Sequence, residues 1–358
     1  MKINNYFMML FVVVSLLTSC SSDDDFIQDT SKGNDSGNEE PEELAPYQNG
    51  ILVLNEGVND AGTVSFITND LETIENTIFE NNNNDMDLGN FVQSMFFDDE
   101  NAYLISNGTN IITVVDRYTF EYKGIVDSGL SVPYYGVAYN GKAYVSNLAG
   151  FSTGEDDYIA VIDLQTFEVE KSIVAGTYLD EVKENNDLIY VEGASFGQGN
   201  SIKVFDPNTN SFVRTITTST GLNSFEIDGQ FIYALSSNKL QKIDLNTGNE
   251  NFVLEFTEDF GAVSNLDIEN NIIYFTSASS VYSISEELLE QPEEPLLTYE
   301  SNSAYGKMYG FNVNDGFIYT ADGGDFKSNG KARIYSVSGE FIKEFTVGMA
   351  PNGFYVNE

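Results

Sequence analysis

The chain of 358 residues has no histidine, no tryptophan and a single cysteine, and only 16 basic residues stand against 56 acidic ones. Each scarcity removes a class of chemistry. Without imidazole there is no Ser-His-Asp triad, no histidine-ligated zinc and no histidine acid–base catalysis. One cysteine cannot form a disulfide within the chain, so the fold must rest on its core. A formal charge of −40 spread along the sequence disfavours nucleic acid and anionic membrane surfaces, which are bound mainly through cations. No G-x-x-x-x-G-K-[ST] phosphate loop occurs, and no carboxylate pair shows catalytic spacing. The segment "DMDLGN" places Asp85 and Asp87 ahead of Gly89, but no glutamate closes it at calcium-loop distance, so no metal is assigned. The expectation is a binding protein without cofactor, metal or catalytic residues.

The lone cysteine has a telling position. Lys2, the apolar run "YFMMLFVVVSLL" and the small residues Thr18 and Ser19 precede Cys20 in the order of a secretory signal. About a dozen apolar residues are too few for a spanning helix, which needs about 20. "LLTSC" resembles the lipobox of bacterial lipoproteins, whose cysteine becomes the acylated first residue of the mature chain. An unpaired thiol directly after a small-residue cleavage site is hard to explain for an ordinary signal peptide. The following "SSDDD" resembles the acidic export signal of some Gram-negative surface lipoproteins. Residues 1–19 are thus expected to be a signal peptide and Cys20 a lipidation site. Residues 20–47, rich in Ser, Asp, Asn, Glu and Gly, read as a flexible tether. The expected location is the outer membrane, facing the exterior, with membrane contact through the lipid alone.

Residues 48–358 repeat. "NAYLIS", "KAYVSN", "LIYVEG", "FIYALS", "IIYFTS" and "FIYTAD" place Tyr103, Tyr144, Tyr190, Tyr233, Tyr274 and Tyr319 at spacings of 41, 46, 43, 41 and 45 residues. A seventh copy, "ILVLNEG" at 51–57, has Val53 in the tyrosine position. A period of about 40–50 built from short β-rich runs and Gly/Asn turns predicts four-stranded propeller blades rather than a two-sheet sandwich. Asp116, Asp163, Asp206 and Asp244, each in Asp-x-x-Thr, read as turn residues whose carboxylates accept backbone N–H bonds. The final "NGFYVNE" has no strand of its own to follow it, so it should pair with 51–57 and close the first blade. The fold class is therefore an all-β, seven-bladed propeller closed by its C-terminal strand.

Topology then separates the two faces. The second-to-third-strand loops and the links between blades share one end, and they include the long segments 55–62, 81–90, 147–158, 192–200, 301–308 and 321–330. The other end carries mainly tight turns. Binding loops on a rigid scaffold belong to the elaborated end. Aligning the inner strands on the tyrosine repeat brings Gln93, Tyr135, Asp180, Asn223, Ser264, Tyr309 and Asn352 into one column around that end of the channel. Such a column either touches a ligand or is a solvated channel lining. Tyr134, Phe151, Phe196, Tyr305 and Phe326 are aromatic candidates from the loops, each able to bind a ligand or to pack its own loop.

The repeat pattern and the closing "GMAPNGFYV" resemble YncE-like seven-bladed propellers. More narrowly, "ILVLNEG" and "LGNFVQSMFFDDENAYLISNGTN" in a lipobox-bearing chain are similar to surface lipoproteins that capture cobalamin beside TonB-dependent vitamin B12 transporters. That resemblance implies a corrinoid or other small ligand, a TonB-dependent outer-membrane receptor as partner, and a contribution from Asn55 and Glu56 within the matching "LNEG". A glycan- or protein-binding envelope propeller without catalytic activity remains the alternative, although glycan platforms often favour tryptophan.

Overall fold

The computed structural model describes residues 44–358, save 59 and 152. The expected signal peptide, Cys20 and most of the tether lie outside the described residues. Seven four-stranded antiparallel sheets follow one another around a ring. Six are continuous in sequence, spanning 92–126, 133–174, 182–217, 222–255, 263–298 and 310–349, and they are numbered here as blades 2 to 7. Blade 1 takes its inner strand, Pro351–Asn357, from the C-terminus and its other three, Gly50–Asn55, Thr63–Thr68 and Ile74–Glu75, from the start of the compact unit.

Burial explains the strand patterns. The second strand of each blade is packed on both faces by neighbouring blades and so reads as a nearly continuous apolar run, as in Asn101–Ser106 and Phe231–Ser236. The six repeat tyrosines are all buried at the third position of these strands or one near it, and Val53 is fully buried in the equivalent place in blade 1. Outer strands face solvent and carry the charge, as in Glu168–Val174. The aspartate turns are as expected: Asp163 Oδ1 accepts the amides of Gln165 and Thr166, both at 2.9 Å, and Asp244 Oδ1 those of Asn246 and Thr247 at 3.2 and 2.8 Å.

Closure is stitched by side chains as well as by the strand ladder, which runs from Gly50↔Asn357 to Asn55↔Pro351. Asn357 Nδ2 donates to Tyr47 O at 2.6 Å and to Arg117 O at 2.7 Å, while Arg117 Nε donates to Asn357 Oδ1 at 2.9 Å. Tyr47, expected at the end of the tether, is instead buried edge-on against Phe66 and Phe120 and donates its amide to Tyr118 O. The compact unit accordingly starts at Leu44 and not at residue 48. The buried ring of Tyr47 and the two partners held by its backbone, Tyr118 O and Asn357 Nδ2, outweigh the polar composition that surrounds it in sequence.

Candidate functional site

The inner strands do not run straight to the elaborated end. Their registers break by a β-bulge at Gln93, at Tyr134 and Tyr135, at Asn223, at Asn265 and at Asn352. A bulge inserts an unpaired residue and re-aims side chains. Of the aligned column, Gln93, Tyr135, Asn223 and Asn352 are bulge residues, whereas Asp180 and Tyr309 lie just ahead of inner strands that keep their register. In blade 6 the bulged residue is Asn265, at φ 53°, and not Ser264 as the alignment had it.

Two of the column's amides, and that of Asn265, are spent on joining blades. Asn352 Nδ2 donates to Val92 O and Gln93 O, both at 3.0 Å, Asn223 Nδ2 to Val263 O at 3.1 Å, and Asn265 Nδ2 to Met308 O at 3.0 Å. Each satisfies a carbonyl of the next blade or of the link that leads into it. Asn55 is similarly occupied: it is fully buried and its Nδ2 lies 3.1–3.3 Å from Val53 O, Thr63 O, Thr63 Oγ1 and Ser65 Oγ. It holds the first loop in place and does not reach the channel mouth cavity.

That cavity, ≈ 630 Å³ in volume, is lined by Glu56, Gln93, Tyr134, Tyr135, Phe151, Tyr309 and Asn352 from the expected set. Phe91, Asn107, Gly108, Asn110 and Val132 complete it. Asn107, Gly108, Asn110 and Val132 come from short connections whose length gave no signal in the sequence, and Phe91 directly follows the long segment 81–90. Phe196 extends the aromatic wall, its ring centroid 6.0 Å from Phe151 and 6.5 Å from Tyr134. Segment 192–200, expected to be a loop, is mostly strand with a two-residue turn at Phe196 and Gly197, both at positive φ, which leaves Phe196 exposed at the tip. Tyr305 and Phe326 line a different cavity, and Phe326 packs edge-on against Tyr309 at 5.0 Å.

The electrostatics of the mouth follow from burial. Tyr309 donates its hydroxyl to Glu56 Oε2, joining blade 7 to the adjacent blade 1. Burial raises the Glu56 carboxyl above its ordinary value, and the Tyr309 bond only partly opposes this. Burial also raises Tyr309, with the Glu56 charge adding to it. Tyr134 and Tyr135 are raised by burial first and by the Asp180 charge second. Asp180 does not line the cavity but lies behind it, accepting the Ser195 hydroxyl at 2.9 Å, and burial raises its carboxyl strongly. One level below, Lys183 Nζ bridges Glu181 and Glu226, both at 2.8 Å, and Asp267 Oδ2 accepts the Val313 amide at 2.6 Å. Among the described residues no three Asp or Glu side chains are grouped to hold a metal ion, and Asp87 Oδ1 accepts the Gly89 amide at 3.0 Å. The mouth thus offers tyrosine hydroxyls, amides and apolar ring faces in one partly enclosed space.

No curated protein matches the chain. Solved structures do, at identities that speak for the fold alone. A quinonprotein alcohol dehydrogenase-like protein from Bacteroides thetaiotaomicron is 15% identical with a TM-score of 0.64, over 87% of this chain and 79% of that one. Hydrazine synthase of Kuenenia stuttgartiensis is 18% identical with a TM-score of 0.57, over 72% and 87%. BamB from Moraxella catarrhalis is 17% identical with a TM-score of 0.51, over 88% of each chain. A family model described as a domain of unknown function, DUF5074, matches residues 49–355, nearly the whole propeller, and the chain belongs to that family.

Proposed function

We propose that the protein is a non-catalytic binding propeller that captures a corrinoid such as cobalamin at its channel mouth and passes it to a TonB-dependent outer-membrane transporter. The observation that carries the reading is the ≈ 630 Å³ mouth cavity, walled by Tyr134, Tyr135 and Tyr309 and by the polar side chains of Gln93, Asn107 and Asn352. A broad ligand edged with amides and apolar groups suits such a wall better than a narrow apolar slot does. Tyrosine rings supply area at little conformational cost, and their hydroxyls pair with amides. Because the sequence has no histidine, no imidazole competes for an axial cobalt position. Capture would rest on shape and amide hydrogen bonds.

The anchoring part of the proposal is that Cys20 carries lipid and holds the propeller on the outer face of the outer membrane. Calorimetric titration with cyanocobalamin tests the ligand. Saturable binding with one site per chain supports the reading, and no heat or absorbance change at millimolar ligand refutes it. Fractionation of Cys20→Ala tests the anchor: the variant should leave the membrane fraction as a folded protein, and unchanged membrane association would defeat the lipoprotein assignment.

A further inference from the structure

A second cavity of ≈ 520 Å³ opens on blade 7, between the link 299–309 and the loop 323–328. Its two walls are fastened to each other. Ser303 Oγ donates to Gly324 O at 2.5 Å and accepts the Gly306 amide at 2.7 Å, and the Gly323 amide donates to Gly306 O at 2.9 Å. A Cβ on Gly306 would come within 3.0 Å of the Gly323 backbone, so the close approach of the loops requires glycine there. The cavity is therefore pre-formed, as ligand sites usually are.

Its chemistry is specific. Arg333 is fixed by Glu344, Nε to Oε2 at 2.9 Å, and its guanidinium lies 4.6 Å from the centroid of Tyr299, yet its buried Nη1 has no acceptor. An orphaned buried donor is costly and calls for a partner. Lys331 is also paired with Glu344, at 3.2 Å. Glu300, Asp322 and Asp325 line the cavity with these two cations, so three carboxylates outnumber two cations that already share the Glu344 carboxylate from outside. Such a balance repels an anion. Tyr305, 88% exposed, stands over the same space as a bare ring.

We infer that this cavity is a subsite for a neutral saccharide. Carboxylates accept from sugar hydroxyls, the guanidinium donates to hydroxyl or ring oxygens, and the Tyr305 ring stacks on the C–H face of a pyranose. The subsite is distinct from the channel mouth, from which the Tyr309–Phe326 pair divides it, and it does not depend on what the mouth binds.

The test uses the purified full chain with glucose, galactose, mannose, N-acetylglucosamine and maltose, by saturation-transfer NMR followed by calorimetry. At least one sugar should bind, and Tyr305→Ala, a fully surface substitution that spares the fold, should weaken it about tenfold. Asp325→Asn should also weaken it, while Tyr135→Ala at the mouth should leave it unchanged. No transfer from any sugar of this panel, or sugar binding indifferent to Tyr305→Ala, overturns the inference. So does tighter binding of galacturonate than of galactose, because a net-negative cavity must prefer the uncharged sugar.

Discussion

The two faces of the propeller use the same residue types to opposite ends. On the turn face, Asp163 and Asp244 accept backbone amides in open water and are held below the ordinary carboxylate range by those bonds. At the mouth, along the inner strands and at Glu192 on the adjoining second strand of blade 4, burial raises Glu56, Asp180, Glu192, Glu226 and Asp267. Asp325 on the loop face is held low by the amides of Ser328 and Lys327, and Glu286 on the turn face is raised by burial, so the rule follows environment and not the face itself. A turn carboxylate stabilises the fold, whereas a buried raised one costs stability that a binding surface can recover. The hairpins differ in the same way. Asn140–Gly141, Asn186–Asp187, Asn270–Asn271 and Asp315–Gly316 have positive φ at both positions and make minimal two-residue turns. At the opposite end the hairpins between second and third strands are equally short in blades 4, 5 and 6 and longer in blades 1, 2, 3 and 7.

The most drastic way to break the contrast is to open the ring. Deleting residues 351–358 removes the partner of Gly50–Asn55, the buried Phe354 and the Asn357 bonds to Tyr47 and Arg117. Cooperative thermal unfolding should be lost on both faces, and a melting temperature equal to that of the intact chain would contradict the closure. A smaller effect sharpens the electrostatic half. The folded carboxyl of Asp180 is raised, so the native state holds its proton where the unfolded chain has released it. Its stability is greatest below the unfolded carboxylate range and falls as pH rises from there through the folded value. Asp180→Asn should therefore match the wild type near pH 4 and melt higher at pH 8, with Ser195 still able to donate to the amide oxygen. Equal melting temperatures across that range would sink the assignment. The smallest effect belongs to the turn face: Asn140→Ala puts a side chain that disfavours φ 50° into a left-handed position and should cost about 1 kcal/mol in denaturant unfolding.

The fold was legible because six blades place a tyrosine inside a doubly buried strand and four of them follow it with an aspartate turn. Closure was legible because the last inner strand had no blade of its own. The mouth was read in part. Glu56, Gln93, Tyr134, Tyr135, Phe151, Tyr309 and Asn352 do converge. Asn55, Asn223 and the amide of Asn352 were harder, since their types fit a ligand contact and a blade-to-blade bond equally, and only register tells the two apart. Asn265 was missed because a bulge shifts the phase by one residue, which alignment on the neighbouring tyrosine cannot detect. Tyr305 and Phe326 were placed on the correct face but assigned to one site where the structure has two cavities.

The central claim, that ligand binding belongs to the mouth and not to the turns, is tested most directly by one matched comparison of cyanocobalamin dissociation constants. The mouth pair is Tyr135→Ala with Tyr309→Ala, and the turn pair is Asn140→Ala with Asp228→Ala. Each buried aromatic contact at such a site contributes about 1–3 kcal/mol, so the mouth pair should lose at least about tenfold in affinity while remaining folded, and the turn pair should bind as the wild type does. A turn pair that loses affinity beside a mouth pair that keeps it would contradict the account.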